Sequence, residues 1–263
     1  MVLPSSPPAP PAPPAPPAPP APPAPPAPPV PSLPCRVCAG PSHAGFTLCF
    51  CCATLVHQLR MPLAPVVAMV RYRVGDRMHR RLRGYKDAPV TEVRHACADH
   101  LADLVATWLT ANGPGLDRRF GPWDLVVTVP SSARPGGTPV DALVAQVPDL
   151  ARRHRHLLVR GPERTGHLQA ARKGFEVLPA VDRRWLRTRR AVVFDDSFTT
   201  GARAQSAVAA LRGVGARVVG VVAVGRVVND PGSLPGTGPG SGPARAEDSA
   251  GLCADELTKR CAG

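Results

Sequence analysis

Two groups of residues in this chain have types and spacings that can do chemistry. The first is Cys35-x2-Cys38 followed, after ten intervening residues, by Cys49-x2-Cys52. Each Cys-x2-Cys turn sets two sulfurs on one side of a tight loop, and two such knuckles can close a tetrahedral zinc site. Four thiolates leave no position open for water, so a site of this kind is structural and not a reaction centre. Two disulfides are the competing arrangement, which a reducing compartment disfavours. Cys51, inside the second knuckle, is a possible substitute ligand, as are His43 and His57.

The second group is Ala191-Val-Val-Phe-Asp195-Asp196-Ser-Phe-Thr199-Thr200-Gly201-Ala-Arg203. An apolar strand over Ala191 to Phe194 is expected to end in two carboxylates. A short loop of hydroxyls and glycine then enters a helix over Thr200 to Arg212, with Ala204, Ala207, Val208 and Leu211 facing inward. Backbone N–H groups and the positive end of the macrodipole make such a helix start a phosphate site. Gly201 lets the backbone approach the anion, and Thr199 and Thr200 add hydroxyl donors. Phosphate alone does not call for Asp195 and Asp196; two carboxylates beside a phosphate cradle suit the vicinal hydroxyls of a ribose. The bland alternative is a solvated strand end with a capped helix.

The elements that must position these groups follow from periodicity. Val66 to Val74 reads as a strand, and Asp76 to Asp87 as a short helix with Met78, Leu82 and Tyr85 on one face. Thr91 opens a long amphipathic helix carrying Val93, Cys97, Leu101, Leu104, Val105 and Trp108, expected to stop at Asn112-Gly113-Pro114. Asp124 to Val129 is an apolar strand stopped by Pro130. Residues 139 to 147 read as helix, His156 to Arg160 as strand, and Arg217 to Val228 as strand. Apolar strands alternating with helices predict an α/β domain with a mainly parallel sheet.

Composition sets the limits. Of 263 residues, 35 are proline, and 19 of those fall in the first 34 positions. Residues 7 to 29 repeat Pro-Pro-Ala without the glycine a triple helix needs, so residues 1–34 read as a disordered, polyproline-type tail, a spacer or a ligand for proline-recognising domains. Residues 231–263, rich in glycine, serine and proline at their start, form a second disordered tail holding Cys253 and Cys261. The remaining chain divides into a zinc-knuckle module over 35–60 and a larger domain over 61–230. No apolar run of membrane-spanning length and no signal-peptide pattern occurs, so the expectation is a soluble cytoplasmic protein without membrane insertion. The net charge is +13, with 29 arginines against three lysines. That balance accords with GC-rich coding as well as with anionic partners. Arg77, Arg80, Arg81 and Arg83 lie opposite the apolar face of their helix, either as a solvated face or as a track for single-stranded DNA.

The Asp195 to Arg203 segment resembles the signature by which type I phosphoribosyltransferases bind 5-phosphoribosyl diphosphate (PRPP): a hydrophobic strand, Asp-Asp, Thr-Thr-Gly, then usually Thr or Ser. Together with the four-cysteine knuckle, residues 35 to 228 look like a ComF family protein, the competence-associated branch of that superfamily. Tyr72, the Met78-His-Arg-Arg-Leu-Arg-Gly-Tyr-Lys86 helix and Phe175 resemble further parts of the family pattern. The resemblance implies a type I phosphoribosyltransferase-like parallel sheet flanked by helices, and a transferase of the glycosyltransferase class acting on PRPP with Mg2+. It implies ribose contacts at Asp195 and Asp196, a 5′-phosphate anchor at Thr199, Thr200, Gly201 and Arg203, and Arg134 as a cation for the pyrophosphate. The chain departs from the family at three places: Val129-Pro130-Ser-Ser-Ala-Arg134 lacks the usual Arg-Gly-Phe-Asn-Gln continuation, Arg203 replaces a hydroxyl residue, and Ser197 replaces an apolar one. Pro130 to Arg134 therefore reads as a turn or a pyrophosphate loop, and Arg160 to Lys173 as a flap or a solvated loop. A non-catalytic nucleotide sensor, or a competence protein handling single-stranded DNA, is the alternative function.

Overall fold

The computed structural model describes residues 33–131 and 138–228. Apart from Leu33 and Pro34, the two expected tails lie outside the described residues, as do Arg134, Cys253 and Cys261. In chain order the elements are α1 (Phe50–Leu59), β1 (Val66–Tyr72), α2 (Arg77–Asp87), α3 (Thr91–Phe120), β2 (Leu125–Thr128), α4 (Pro139–Ala145), α5 (Pro148–Ala151), β3 (Leu158–Arg160), β4 (Phe175–Val177), α6 (Arg183–Arg187), β5 (Arg190–Phe198), α7 (Ala202–Gly213) and β6 (Arg217–Val227). The protein is thus α/β. Four strands in the order β1-β6-β5-β2, all parallel, form the main sheet, and β3 and β4 make a separate antiparallel pair.

Alternation along the buried strands divides the interior between the two faces of the sheet. Leu125, Val127, Ala191, Val193, Val221 and Ala223 pack with α1, α6, α7 and the four knuckle cysteines. Val126, Val192, Phe194, Val222 and Val224 pack on the other face with α2, α3 and α4. Strands covered on both sides need apolar residues at every position, which is why these read as continuous Val-rich runs.

The connections place the site. The chain leaves β2 for α4 on one face and leaves the neighbouring β5 for α7 on the other. Adjacent strands whose connections diverge in this way open a crevice beyond their carboxyl ends, where α/β sheets bind ligands.

Two elements run longer than local signals predict. Helix α3 does not stop at Asn112-Gly113-Pro114 but continues to Phe120 with Pro114 inside it. Burial of Leu116 and Phe120 holds the extension, and the Phe120 ring packs directly on Gly220 of β6; this apolar contact outweighs the hydrogen bond that proline removes. Strand β5 continues past Phe194 to Phe198 because β6 pairs with it throughout, Asp195 opposite Ala223 and Phe198 opposite Arg226. No helix among the described residues is long and apolar enough to cross a membrane.

Candidate functional site

The extended strand changes the setting of the carboxylate pair. Asp195 and Asp196 lie inside β5, not after it, so successive side chains go to opposite faces. Asp196 points to the α2 side and is 5 % exposed. Its Oδ2 accepts from the Tyr85 hydroxyl and lies 2.5 Å from Lys86 Nζ. Burial pushes the Asp196 carboxyl up to about 7, against the opposing charge of Arg203 and two backbone N–H bonds. Burial likewise pushes the Lys86 ammonium down to about 8, with the Asp195 charge acting against that shift. Asp195 is half-buried, accepts from the Asp196 amide at 3.0 Å, and is raised by burial while Arg203 and Lys86 pull it down. On the α2 side the Asp196 carboxyl thus sits beside the Lys86 ammonium, and the Arg203 guanidinium is near enough to act on both carboxyls.

Gly201 forms the junction between the strand end and α7. Its φ of 85° is left-handed and it is the N-cap of the helix; a Cβ there would lie 2.6 Å from the Phe198 ring. Glycine is therefore required twice, by backbone angle and by space. Thr199 is exposed, whereas Thr200 is buried and donates its hydroxyl to the His167 carbonyl. That hydroxyl hydrogen is committed, which leaves Thr200 its backbone N–H for an anion. Arg203 Nη2 donates to the Pro130 carbonyl across the crevice between β5 and β2, and its Nε is buried with no hydrogen-bond partner.

The Arg160 to Lys173 segment is stapled down at three points. Gln58 of α1 donates to the Leu168 carbonyl at 2.9 Å and accepts from the Ala170 amide at 2.8 Å. Thr200 holds His167, and Ser206 of α7 accepts from the Ala171 amide at 3.0 Å. Phe175 is a core residue of β4, 1 % exposed, with the Arg160 guanidinium 5.2 Å above its ring. A cleft of 570 Å3 between α1 and this segment is lined by Gln58, Arg60, Glu163, Arg164 and Arg172 and does not reach the carboxylate pair.

The four knuckle cysteines come together. The sulfurs of Cys35, Cys38, Cys49 and Cys52 all lie within 4.8 Å of one another and could hold a metal ion such as zinc. Cys35 and Cys38 sit on a turn closed by Cys35 N–H to Gly40 O at 2.7 Å and Ala39 N–H to Cys35 O at 2.8 Å. Cys49 is the N-cap of α1 and Cys52 lies in its first turn. All four are buried free thiols, as opposed to the disulfide arrangement. Hydrogen bonds from Cys49 and Cys52 hold the Cys38 thiol well below its usual range, and the bond to Cys38 pushes Cys49 up to about 12. Thiols packed this closely must share protons unless a cation replaces them. Cys51, His43 and His57 lie outside the group.

The arginines of α2 do not form a free stripe. Arg80 donates to the Gly75 carbonyl, Arg83 pairs with Asp87 at 3.3 Å, and Arg77 and Arg81 are engaged as well. Sequence reasoning gave no role to several residues that the fold brings to the site. Tyr85 and Lys86 meet Asp196, and the Tyr72 hydroxyl lies 2.5 Å from Ser197 Oγ. Near the end of β2, Asp141 accepts from Thr128 and, at 2.7 Å, from the Thr138 amide, and lies 3.3 Å from His154 Nε2. Together these hold Asp141 well below the usual carboxylate range despite burial. The Thr138-x-x-Asp141 pattern is a capping-box signal that a reading of the sequence could have found. No protein-family model matches the chain, and no curated protein is significantly similar to it.

Proposed function

We propose that this protein binds PRPP or a closely related phosphoribosyl ligand, as a member of the type I phosphoribosyltransferase-like folds, with a structural Zn2+ in its four-cysteine group. The observation that carries the reading is the run from Asp195-Asp196 at the end of a central parallel strand, through left-handed Gly201, into the start of α7. First-turn N–H groups beyond Ala202, whose own N–H reaches Thr200 Oγ1 at 3.4 Å, lie outside the helix ladder and, with the Arg203 side chain, suit the 5′-phosphate. Carboxylates within a few residues of that anchor suit the ribose hydroxyls. The switch point between β2 and β5 is where α/β sheets of this kind take up the remainder of such a ligand.

In the transferase reading the bond between ribose C1 and the pyrophosphate oxygen breaks, and its electron pair leaves with pyrophosphate. The acceptor lone pair forms the new bond and the acceptor proton passes to solvent. Asp195 and Asp196 hold the ribose and stabilise positive charge developing on it. Mg2+ bound with PRPP would offset the charge of the leaving group. Arg134, which lies outside the described residues, is the proposed cation for the pyrophosphate. The observed support for Zn2+ is the donor set itself, four sulfurs converging on one point with no fifth ligand among the described residues.

A PRPP titration with and without Mg2+, followed by a pyrophosphate-release screen over purine, pyrimidine and amine acceptors, tests the reading. Binding with release establishes a transferase, binding without release a sensor, and no binding overturns the proposal. The single-stranded DNA alternative gains no support from α2, whose arginines are engaged within the protein.

A further inference from the structure

The cysteine knuckle and the Thr199 to Arg203 loop are far apart in sequence, yet one side chain touches what holds each of them. Arg226, near the end of β6, donates from Nη1 to the carbonyl oxygen of Cys38. Its guanidinium packs so tightly on Gly40 that a Cβ there would overlap Nη2. The same guanidinium lies 5.8 Å from the centroid of the Phe198 ring, and Phe198 is its register partner across β5 and β6. Phe198 is 2 % exposed, and its ring is the surface that leaves no room for a side chain at Gly201. Contacts therefore run without a gap from Cys38 through Arg226 and Phe198 to the residue that starts α7.

Each link has a physical reason to hold its neighbour. A guanidinium that donates to a carbonyl while lying over an aromatic face has its plane and position both set. The aromatic ring beneath a left-handed glycine restricts which way the backbone can relax. Cys38 is a member of the four-sulfur group, so its carbonyl keeps its direction only while the knuckle keeps its shape. With the metal gone, four buried thiols have no centre to converge on, and the acceptor that orients Arg226 is released.

We propose that Arg226 is a positioning residue that couples metal occupancy of the four-cysteine group to the conformation of the Thr199 to Arg203 loop. This rests on the metal-binding part of the proposed function and is independent of which ligand the loop takes. The knuckle is then part of the site's scaffold, because the last strand of the sheet carries its geometry to the helix start.

Amide hydrogen exchange by mass spectrometry on the full chain, with metal content measured on the same samples, is the test. In the parent, chelation is expected to speed exchange across residues 198–204 by about tenfold or more. Arg226→Met, with its metal retained, is expected to exchange there at the metal-free rate and to respond no further to chelation. Arg226→Lys, which keeps a cation over Phe198 and a donor for Cys38, should stay within about threefold of the loaded parent. If Arg226→Met does not fold, Phe198→Leu is to show the same fast loop with metal bound. Parent-like protection of residues 198–204 in the loaded variants, or a parent loop indifferent to chelation, overturns the coupling. A parent that binds no metal overturns the metal reading instead, and the metal measurement reports that separately.

Discussion

At the residue scale the carboxylate pair is asymmetric. Asp196 is tied to Tyr85 and Lys86, while Asp195 has only the neighbouring amide as a hydrogen-bond partner among the described residues. Replacing both by Asn preserves shape but weakens charge-assisted bonds to ribose hydroxyls, each worth about 1.5 to 3 kcal/mol. PRPP affinity measured by calorimetry should fall at least about tenfold, and unchanged affinity would remove the assignment. The asymmetry also bears on urea unfolding: Asp196→Asn, neutral at every pH, should remove the loss of stability that ionisation of this buried carboxyl brings between about pH 4 and 7. The pH dependence follows from the carboxyl raised to about 7. As pH falls through that value Asp196 takes up a proton and loses its charge, so PRPP affinity should drop below about pH 7 and level off above it. In Asp196→Asn that step should vanish, which separates it from titration of the ligand phosphates. For folding the sign is opposite. A carboxyl raised in the folded state contributes stability fully below about pH 4 and loses it as pH rises through about 7.

At the element scale the junction of β5 and α7 bears the heaviest constraints. Gly201→Ala forces a side chain into a left-handed backbone and against the Phe198 ring. The expected cost is about 1 to 3 kcal/mol of stability, with ligand affinity lost beyond what that destabilisation explains; parent-like binding in this variant would show that the helix start is not the anion site. Helix α7 is also joined to the segment between the knuckle and β1. Gln205, 1 % exposed, donates to the Ala64 carbonyl at 2.8 Å and accepts from the Ala64 amide at 3.0 Å. Gln205→Leu keeps the volume but leaves both backbone groups without a partner, each at about 1 to 3 kcal/mol. Thermal unfolding should show a fall of that order, and an unchanged midpoint would mean that water replaces both bonds.

At the scale of the whole molecule the knuckle, the sheet and α7 share one packed interior. Metal loss should therefore be felt by the entire fold and not by a detached module. Purified protein under reducing conditions is expected to carry about one zinc per chain, and less than about 0.2 equivalent would count against the structural site. Chelation should lower the unfolding midpoint of the single cooperative transition; a separate early transition confined to the knuckle would show that the shared interior does not couple them.

The sequence alone determined what depends on neighbours within a few residues. Cys-x2-Cys spacing is a local turn, so the pairing of Cys35 with Cys38 and of Cys49 with Cys52 was legible, and their convergence is now seen. The Val-rich runs and the amphipathic period of α2 were legible for the same reason, as was the Asp-Asp to Gly201 order that marks the candidate site. Tertiary structure decided whatever depends on partners distant along the chain. The length of β5 follows from β6, and the passage of α3 beyond Pro114 follows from burial of Leu116 and Phe120. The partners of Asp196, Tyr85 and Lys86, come from a helix 111 and 110 positions earlier in the chain, and Arg226 reaches a knuckle at the opposite end of the described chain. Local propensities are worth a few tenths of a kcal/mol per residue, whereas burying one large side chain is worth about 1.5 to 3 kcal/mol, so long-range packing sets the ends of elements and the company that charged groups keep.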